Sequence, residues 1–229
     1  MSKNVNRIFS DMSDHYDRVN KVCSSYTMVL WRKTAAREAG IEKPRYSVLD
    51  IGTGTGELAF EISKEASSKG KKADITGMDF SKGMLDVAKR KAESQNVDIK
   101  FEQGDALKLK YKSNSFDLVT SGFVAKNVDN QKRFASESYR VLKKGGKLVF
   151  IELIKPRGAI NRMLINAYWS TVIRIGFIGS GDSFKSLKES VDRFDIEKFS
   201  IFLREAGFRQ IKAKILFSGA AVLFTAKKA

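Results

Sequence analysis

The feature that most constrains this chain is a short apolar run that ends in an acid and then breaks into three glycines spaced two residues apart. The sequence from Ser47 to Leu58 reads Ser-Val-Leu-Asp-Ile-Gly-Thr-Gly-Thr-Gly-Glu-Leu. Its apolar residues suit a buried parallel strand, and its glycines let the backbone turn tightly beside a ligand. The pattern predicts a strand, a tight turn and a helix start, an arrangement that binds nucleotide-like cofactors in α/β folds.

The glycine spacing points away from a dinucleotide. A dinucleotide fingerprint has the spacing G-x-G-x-x-G and turns a helix start toward a pyrophosphate, whereas this chain has G-x-G-x-G. That form, with an acid before it, resembles motif I of the class I methyltransferases, which bind S-adenosyl-L-methionine (SAM) and release S-adenosyl-L-homocysteine (SAH). The amino-acid tail of SAM needs an acid for its ammonium and backbone N–H groups for its carboxylate. The residues predicted to line this part of the site are Asp50, Gly52, Thr53, Gly54, Thr55 and Gly56.

A second acid, Asp79, follows the next apolar run. An acid at the end of the second strand of such a fold accepts hydrogen bonds from both ribose hydroxyls. We expect Phe80 to lie against the adenine and Met84 to close the site from the following helix. The alternative is that Asp79 and Ser81 cap that helix, and both roles can hold at once.

A third acid, Asp105, follows the third predicted strand. We expect its carboxylate to accept a hydrogen bond from the adenine amino group, with the N–H of Ala106 available to a ring nitrogen. The fourth predicted strand ends in Ser121 and Gly122, at the edge where strand ends face a ligand. Acids after three successive strands therefore predict one SAM site at the carboxyl edge of a sheet.

The resemblance implies a Rossmann-like class I methyltransferase fold, with a seven-stranded and mostly parallel sheet between two layers of helices. The implied strand order is 3-2-1-4-5-7-6, with the last strand antiparallel. Helices are predicted at 5–14, 26–39, 82–93, 130–142 and 196–206, and strands after the fourth at 147–153, 209–216 and 220–225. Lys143 to Gly146 are predicted to stop a helix, and Gly207 is predicted to cap one.

We expect one methyltransferase domain over residues 1–229, because 42% hydrophobic residues in a chain of this length suffice for one α/β core. Its expected parts are an N-terminal helical cap (1–45), a SAM-binding core (46–153), a helical substrate insert (154–195) and a C-terminal helix with a strand hairpin (196–229).

The sequence contains no apolar run of the roughly 18 to 20 residues that span a membrane. The polar N-terminus is not typical of a secretory signal, so we expect a cytoplasmic protein. Cys23 is the only cysteine, which excludes an intramolecular disulfide and a cysteine-rich metal site.

Several longer blocks of the sequence are distinctive when taken together. They are Tyr16-Asp17-Arg18-Val19-Asn20, Trp31-Arg32-Lys33-Thr34-Ala35, Gly77 to Leu85, Tyr139 to Gly146, Gly179 to Asp182 and Leu187 to Ser190. With these blocks, nearly the whole chain resembles the ubiquinone/menaquinone biosynthesis C-methyltransferases. That family methylates a ring carbon of a polyprenylated quinol precursor. The resemblance implies a SAM-dependent enzyme with a lipophilic, small-molecule acceptor of the demethylmenaquinol or ubiquinol type.

The chain departs from the family after the fourth strand. The family usually has F-G-L-R-N there, whereas this chain has Phe123-Val124-Ala125-Lys126-Asn127. Lysine keeps the charge but lacks the planar fork of arginine, so Lys126 is expected to supply electrostatic stabilisation. Tyr16 is the second catalytic candidate, because the resemblance places its segment over the cofactor. The neighbouring His15 is the only histidine and better fits a helix surface.

Residues 156–182 form a basic amphipathic segment. There is no acid between Glu152 and Asp182, while apolar residues recur at helical spacing from Ile160 to Ile175. We expect a lid that holds an apolar tail and rests on an anionic membrane surface. A helix that covers the core and a homodimer contact are the alternatives.

Other functions remain open at this level. The net charge of +16 is compatible with an RNA substrate, but we expect no nucleic-acid partner because the sequence lacks an added RNA-binding module and the N/D-P-P-Y/F motif of base amino methylases. Tyr139 and Lys143 have the spacing of a dehydrogenase pair without the accompanying glycine turn. A methyltransferase for another small molecule and a non-catalytic SAM-binding protein are the remaining alternatives.

Overall fold

A computed structural model describes residues 26–155, 194–216 and 219–229, with the isolated positions 163 and 191. The helices in this part of the chain are α1 (Tyr26–Glu38), α2 (Glu57–Ser68), α3 (Lys82–Gln95), α4 (Gln131–Val141) and α5 (Ile196–Ala206). The strands are β1 (Arg45–Ile51), β2 (Lys72–Asp79), β3 (Ile99–Gln103), β4 (Phe116–Gly122), β5 (Leu142–Leu153), β6 (Phe208–Ile215) and β7 (Ala221–Lys228). A short 3-10 helix, Ala125–Asn127, follows β4.

The described strands form one sheet in the order β3-β2-β1-β4-β5-β7-β6, which confirms the predicted order. Strands β1 to β5 pair in parallel, and β7 runs antiparallel to both β5 and β6. The winding of the chain reverses at β1, because β2 lies on one side of it and β4 on the other. The crevice at the carboxyl ends of such neighbouring strands is where open α/β sheets bind ligands.

The sheet is covered on both faces, as the sequence predicted. Leu148 and Phe150 of β5 pack with α4 and α5, while the alternating residues Val149 and Ile151 pack with α1 and α2. Burial on both faces explains why the inner strands are continuous apolar runs rather than alternating patterns. None of the described helices combines the length and apolarity that a membrane span needs.

Helix α4 ends at Val141, one residue before its predicted end, so the predicted helix stop is confirmed, whereas the predicted start of the next strand at residue 147 was too late. Strand β5 begins at Leu142, directly after α4, and Leu142 pairs with Phe116 of β4. The ammonium of Lys143 donates to Asp117 Oδ2 at 2.9 Å. The pairing of β4 with β5 shifts register between Leu142 and Lys147, where Gly145 has φ 74°, so the predicted turn lies within β5.

The other end of the chain follows the prediction more closely. Helix α5 has the predicted bounds, and Gly207 caps it with φ 108°. Strand β7 continues to Lys228, past its predicted end at residue 225, because Lys227 pairs with Lys147 of β5. The predicted helix at 5–14 and the segment 156–182 lie outside the described residues, apart from position 163.

Candidate functional site

The glycine turn between β1 and α2 is fixed at one end and open at its middle. Gly52, Gly54 and Gly56 have φ values of 66°, 56° and 87°, in the left-handed region that favours glycine. The N–H of Gly52 donates to the carbonyl of Met78 at 2.7 Å. A Cβ on Gly52 would lie 2.3 Å from Val124 Cγ2, whereas a Cβ on Gly54 would meet no atom of the described residues within 4 Å. Within the described part of the chain, the turn therefore leaves space beside the backbone of Gly54, where a ligand can approach closely.

Asp50, at the base of this turn, is a buried carboxylate, and only one of its oxygens accepts a hydrogen bond from the described residues. The hydroxyl of Thr120 donates to Oδ1 at 2.7 Å, while Oδ2 and the Thr53 hydroxyl make no hydrogen bond within the described part of the chain. Burial raises the pKa of Asp50 to about 6, although the nearby hydroxyls of Thr53 and Thr120 lower it in part. Buried polar groups are normally paired, so Oδ2 fits a ligand that brings a donor, such as an ammonium group.

Asp79 joins the glycine turn to the start of α3. Its Oδ2 accepts from the N–H of Gly54 at 2.8 Å, and its Oδ1 accepts from the N–H of Ser81 at 2.9 Å. Burial raises the pKa of Asp79, and these backbone N–H groups oppose the shift. Ser81 is the N-cap of α3 and accepts from the N–H of Met84, so the capping alternative is correct for Ser81. Each oxygen of Asp79 has further acceptor capacity, which leaves room for the predicted ribose hydroxyls.

The residues predicted to meet the adenine lie beside Asp79 at the same edge of the sheet. Phe80 is an exposed aromatic side chain, as stacking on a base requires. Asp105 is exposed, and one of its oxygens accepts from the N–H of Leu107 at 2.8 Å. Ala106 is half-buried. Met84 is only 3% exposed, so its side chain packs into the core beneath this edge.

Ser121 and Gly122 end β4 next to the glycine turn. The register of β1 and β4 sets Ile51 opposite Ser121, whose hydroxyl donates to the carbonyl of Ile51 at 2.7 Å. Ser121 is buried, while Gly122 is half-buried. The end of β4 thus forms a wall of the crevice beside the predicted position of the amino-acid tail.

Lys126, the first catalytic candidate, belongs to a buried ion pair. Its side chain is 3% exposed, and Nζ lies 2.9 Å from Oε1 of the fully buried Glu152 on β5. Nζ also donates to the carbonyl of Phe123 at 2.7 Å, and the Lys126 N–H donates to Glu152 Oε2 at 3.0 Å. The pair ties the loop after β4 to β5. Contact between Lys126 and an acceptor stays a prediction.

Two residues of this region were missed from the sequence. Glu152 carried a usable signal, since an acid inside an apolar strand indicates a buried partner. Arg32 of α1 stood in one of the family blocks without a role, yet the structure buries it beside Glu57 at the start of α2. The second catalytic candidate, Tyr16, lies outside the described residues, as do His15 and Cys23.

These observations fit SAM as the ligand of the crevice. The turn offers approach space at Gly54, and Asp50 offers a buried oxygen that accepts no hydrogen bond from the described residues. Asp79 and Asp105 follow two further strands at the same edge. An amino-acid tail, a ribose diol and an adenine each need one such group. The site can therefore bind one extended nucleoside with an amino-acid tail.

Comparisons with known proteins agree with this geometry. The model of the ubiE/COQ5 methyltransferase family matches residues 1–228. A demethylmenaquinone methyltransferase from Deinococcus radiodurans is 37% identical over 209 residues, which cover 90% of this chain and 85% of that protein.

Solved structures share the fold. A SAM-dependent methyltransferase from Aquifex aeolicus has a TM-score of 0.63 at 18% identity, over 86% of this chain and 89% of that one. The [4+2]-cyclase SpnF has a TM-score of 0.73 at 18% identity, over 98% of this chain and 94% of that one. At this identity the likeness concerns the fold alone, which hosts more than one activity.

Proposed function

The chain belongs to the ubiE/COQ5 methyltransferase family, and we propose that it C-methylates a prenylated quinol precursor of the demethylmenaquinol or ubiquinol type. The family is one of SAM-dependent methyltransferases. The observation that carries the choice of acceptor is the match to a demethylmenaquinone methyltransferase over 90% of this chain. The acceptor and the residues that act on it are our proposal.

When bound, the cofactor supplies a methyl group that is already electrophilic, so the protein has to align it with the acceptor carbon and exclude water. Alignment of this kind can contribute on the order of 7 to 11 kcal/mol. We assign Asp79 to the ribose hydroxyls, Asp105 and Ala106 to the adenine, and Asp50 to the ammonium of the tail. Their position at one edge of the sheet supports this division.

A quinol ring carbon becomes more nucleophilic when its hydroxyl gives up a proton or donates to a base. We keep Tyr16 as the residue that contacts the acceptor, on the family resemblance alone. For Lys126 we propose a positioning role, because its ammonium already pairs with Glu152 at 2.9 Å and is 3% exposed. In that role Lys126 holds the loop after β4 in the shape that the acceptor meets.

The direct test is methyl transfer from labelled SAM to a panel of acceptors. We expect transfer to demethylmenaquinol with a short prenyl tail and none to menaquinol, whose ring carbon is already methylated. A tail-less naphthoquinol should show at least about 10-fold lower kcat/KM, because each buried CH₂ contributes about 0.8 kcal/mol. Transfer to RNA alone, or to no quinol by a protein that binds SAH, would contradict the proposal.

We also propose peripheral contact with an anionic membrane, which suits a prenylated acceptor. The described residues that support it form a basic strip on one face of three neighbouring strands. Directly opposite residues share a face of the sheet, and Lys147 of β5 lies opposite Lys227 of β7, which lies opposite Arg209 of β6. The members of the basic strip are Lys147, Arg209, Lys212, Lys214 and Lys227.

Charges in the basic strip repel one another. Burial lowers the pKa of Lys147, the charge of Glu38 opposes this shift, and the charges of Lys227 and Lys212 add to it. An anionic surface relieves this repulsion and attracts each basic residue by about 1 kcal/mol. The insert 154–195, the second predicted membrane contact, lies almost entirely outside the described residues.

Vesicle sedimentation with the double variant K212E/K227E tests the basic strip. We expect the wild-type protein to bind vesicles that contain phosphatidylglycerol and to be released by salt, and the double variant to bind at least about 10-fold more weakly. The matched control is K89E/R90E, which makes the same change of charge on exposed residues of α3, beside the other end of the sheet. If both variants weaken vesicle binding equally, net charge alone accounts for the binding and a specific role for the basic strip is refuted.

A further inference from the structure

Arg32 is a buried cation whose hydrogen-bonding capacity is largely unused among the residues that the structure describes. Its side chain is 10% exposed, and its ionic contact within the described residues is Nη1 to Glu57 Oε2 at 3.8 Å, beyond hydrogen-bonding distance. Glu57 is also held by Lys91 Nζ at 3.0 Å. A guanidinium carries five N–H donors, and buried charges are normally paired and hydrogen-bonded. The other buried cation among the described residues is Lys126, whose ammonium donates to the Phe123 carbonyl at 2.7 Å and to Glu152 Oε1 at 2.9 Å.

Helix α1 carries Arg32 to the carboxyl edge of the sheet, between the end of β4 and the start of α2. The neighbouring Trp31 lies with its ring centroid 6.5 Å from that of Phe123, the residue that follows β4. Glu57 is the first residue of α2, directly after the glycine turn. Arg32 therefore lies beside the part of the crevice where the amino-acid tail of the cofactor is expected. Its charge also partly offsets the effect of burial on the pKa of Asp50.

We infer that Arg32 binds the carboxylate of the methionine tail of SAM and SAH. That carboxylate is the only negative group of the cofactor, and on this edge it enters a region that already holds the acids Asp50 and Glu57. Backbone N–H groups of the turn supply hydrogen bonds, but they bring no net charge to offset these acids. A guanidinium supplies both, because it binds a carboxylate through two parallel hydrogen bonds. The inference rests on the cofactor of the family and is independent of the acceptor.

Two ligands that differ only at the tail separate this role from a structural one. SAH carries the amino-acid tail, whereas 5′-methylthioadenosine keeps the adenine, the ribose and the thioether but lacks the carboxylate and the ammonium. By titration calorimetry we expect R32M to weaken SAH binding by about 10- to 100-fold, the range for a lost charge-assisted pair. Binding of 5′-methylthioadenosine should change by less than about threefold. This ligand has no carboxylate, so R32M leaves no charge of the ligand without its partner.

The matched control is R37M, which replaces an exposed arginine five residues further along α1. We expect it to leave the affinity for both ligands unchanged. R32K, which keeps the charge without the fork, should fall between wild type and R32M for SAH. Equal weakening of both ligands by R32M, or unchanged SAH binding, would overturn the inference. If R32M does not fold, the ratio of the two affinities in R32K decides by the same criterion. Failure of quinol methylation leaves this ratio unaffected.

Discussion

Replacing Glu152 with alanine is expected to lower the free energy of unfolding by about 3 to 5 kcal/mol, the cost of removing one partner of a buried ion pair. The carboxylate of Glu152 is fully buried and accepts from the backbone N–H and the ammonium of Lys126 and from the N–H of Leu153, all within 3.0 Å. Without it, the charge of Lys126 stays buried with a single carbonyl partner. Chemical denaturation measures the effect directly.

A double variant separates the charge from the packing. K126M/E152Q removes both charges and keeps similar side-chain volumes. It retains an acceptor for one of the two backbone N–H groups, because those of Lys126 and Leu153 bond to different oxygens of Glu152. We expect it to recover most of the stability that E152A loses, because a neutral, well-packed replacement of a buried pair is often close to neutral in energy. A loss of less than about 1 kcal/mol in E152A would mean that the pair contributes no more than a surface salt bridge.

The ion pair of Lys126 with Glu152 explains why the sequence predicts that Lys126 lies near the site but does not predict its role. Lys126 lies in the loop directly after β4, so its position near the site can be predicted from neighbouring residues in the sequence. Its partner Glu152 is 26 residues away on β5, and only the parallel pairing of β4 with β5 brings the two together. An acid in the apolar run of β5 indicates that a buried partner exists, but the sequence does not show which residue it is.

Local sequence patterns predicted the glycine turn and the placement of the acids at the candidate site, for a physical reason. A strand, a turn and a helix start are neighbours along the chain, and acids that follow parallel strands meet at one edge whatever the strand order. The turn at Gly52 to Gly56 and the position of Asp79 followed from this logic. The start of β5 did not, because the glycines at 145 and 146 signal a turn locally while Leu142 pairs with Phe116 across the sheet. Burial of Arg32 depended likewise on how α1 packs.

Replacing Gly54 with alanine is expected to weaken SAH binding by 100-fold or more while the fold survives. A Cβ at Gly54 meets no atom of residues 26–155, 194–216 and 219–229 within 4 Å, so we expect the substitution to cost the left-handed strain of about 1 to 2 kcal/mol. The added methyl enters the open space over the turn, where we expect the cofactor to pass in contact with the backbone. Close packing leaves no room for an extra carbon in such a contact.

Gly70 is a matched control for the strain at Gly54, because it has a φ of 65° and a Cβ on it would likewise meet none of the described residues within 4 Å. It lies in the turn before β2, at the opposite edge of the sheet from the candidate site. We expect G70A to lower the melting temperature about as much as G54A and to bind SAH like the wild type. G52A should be the most destabilised of the three, since its Cβ would lie 2.3 Å from Val124. Wild-type affinity for SAH in G54A would show that the cofactor does not cross the turn there.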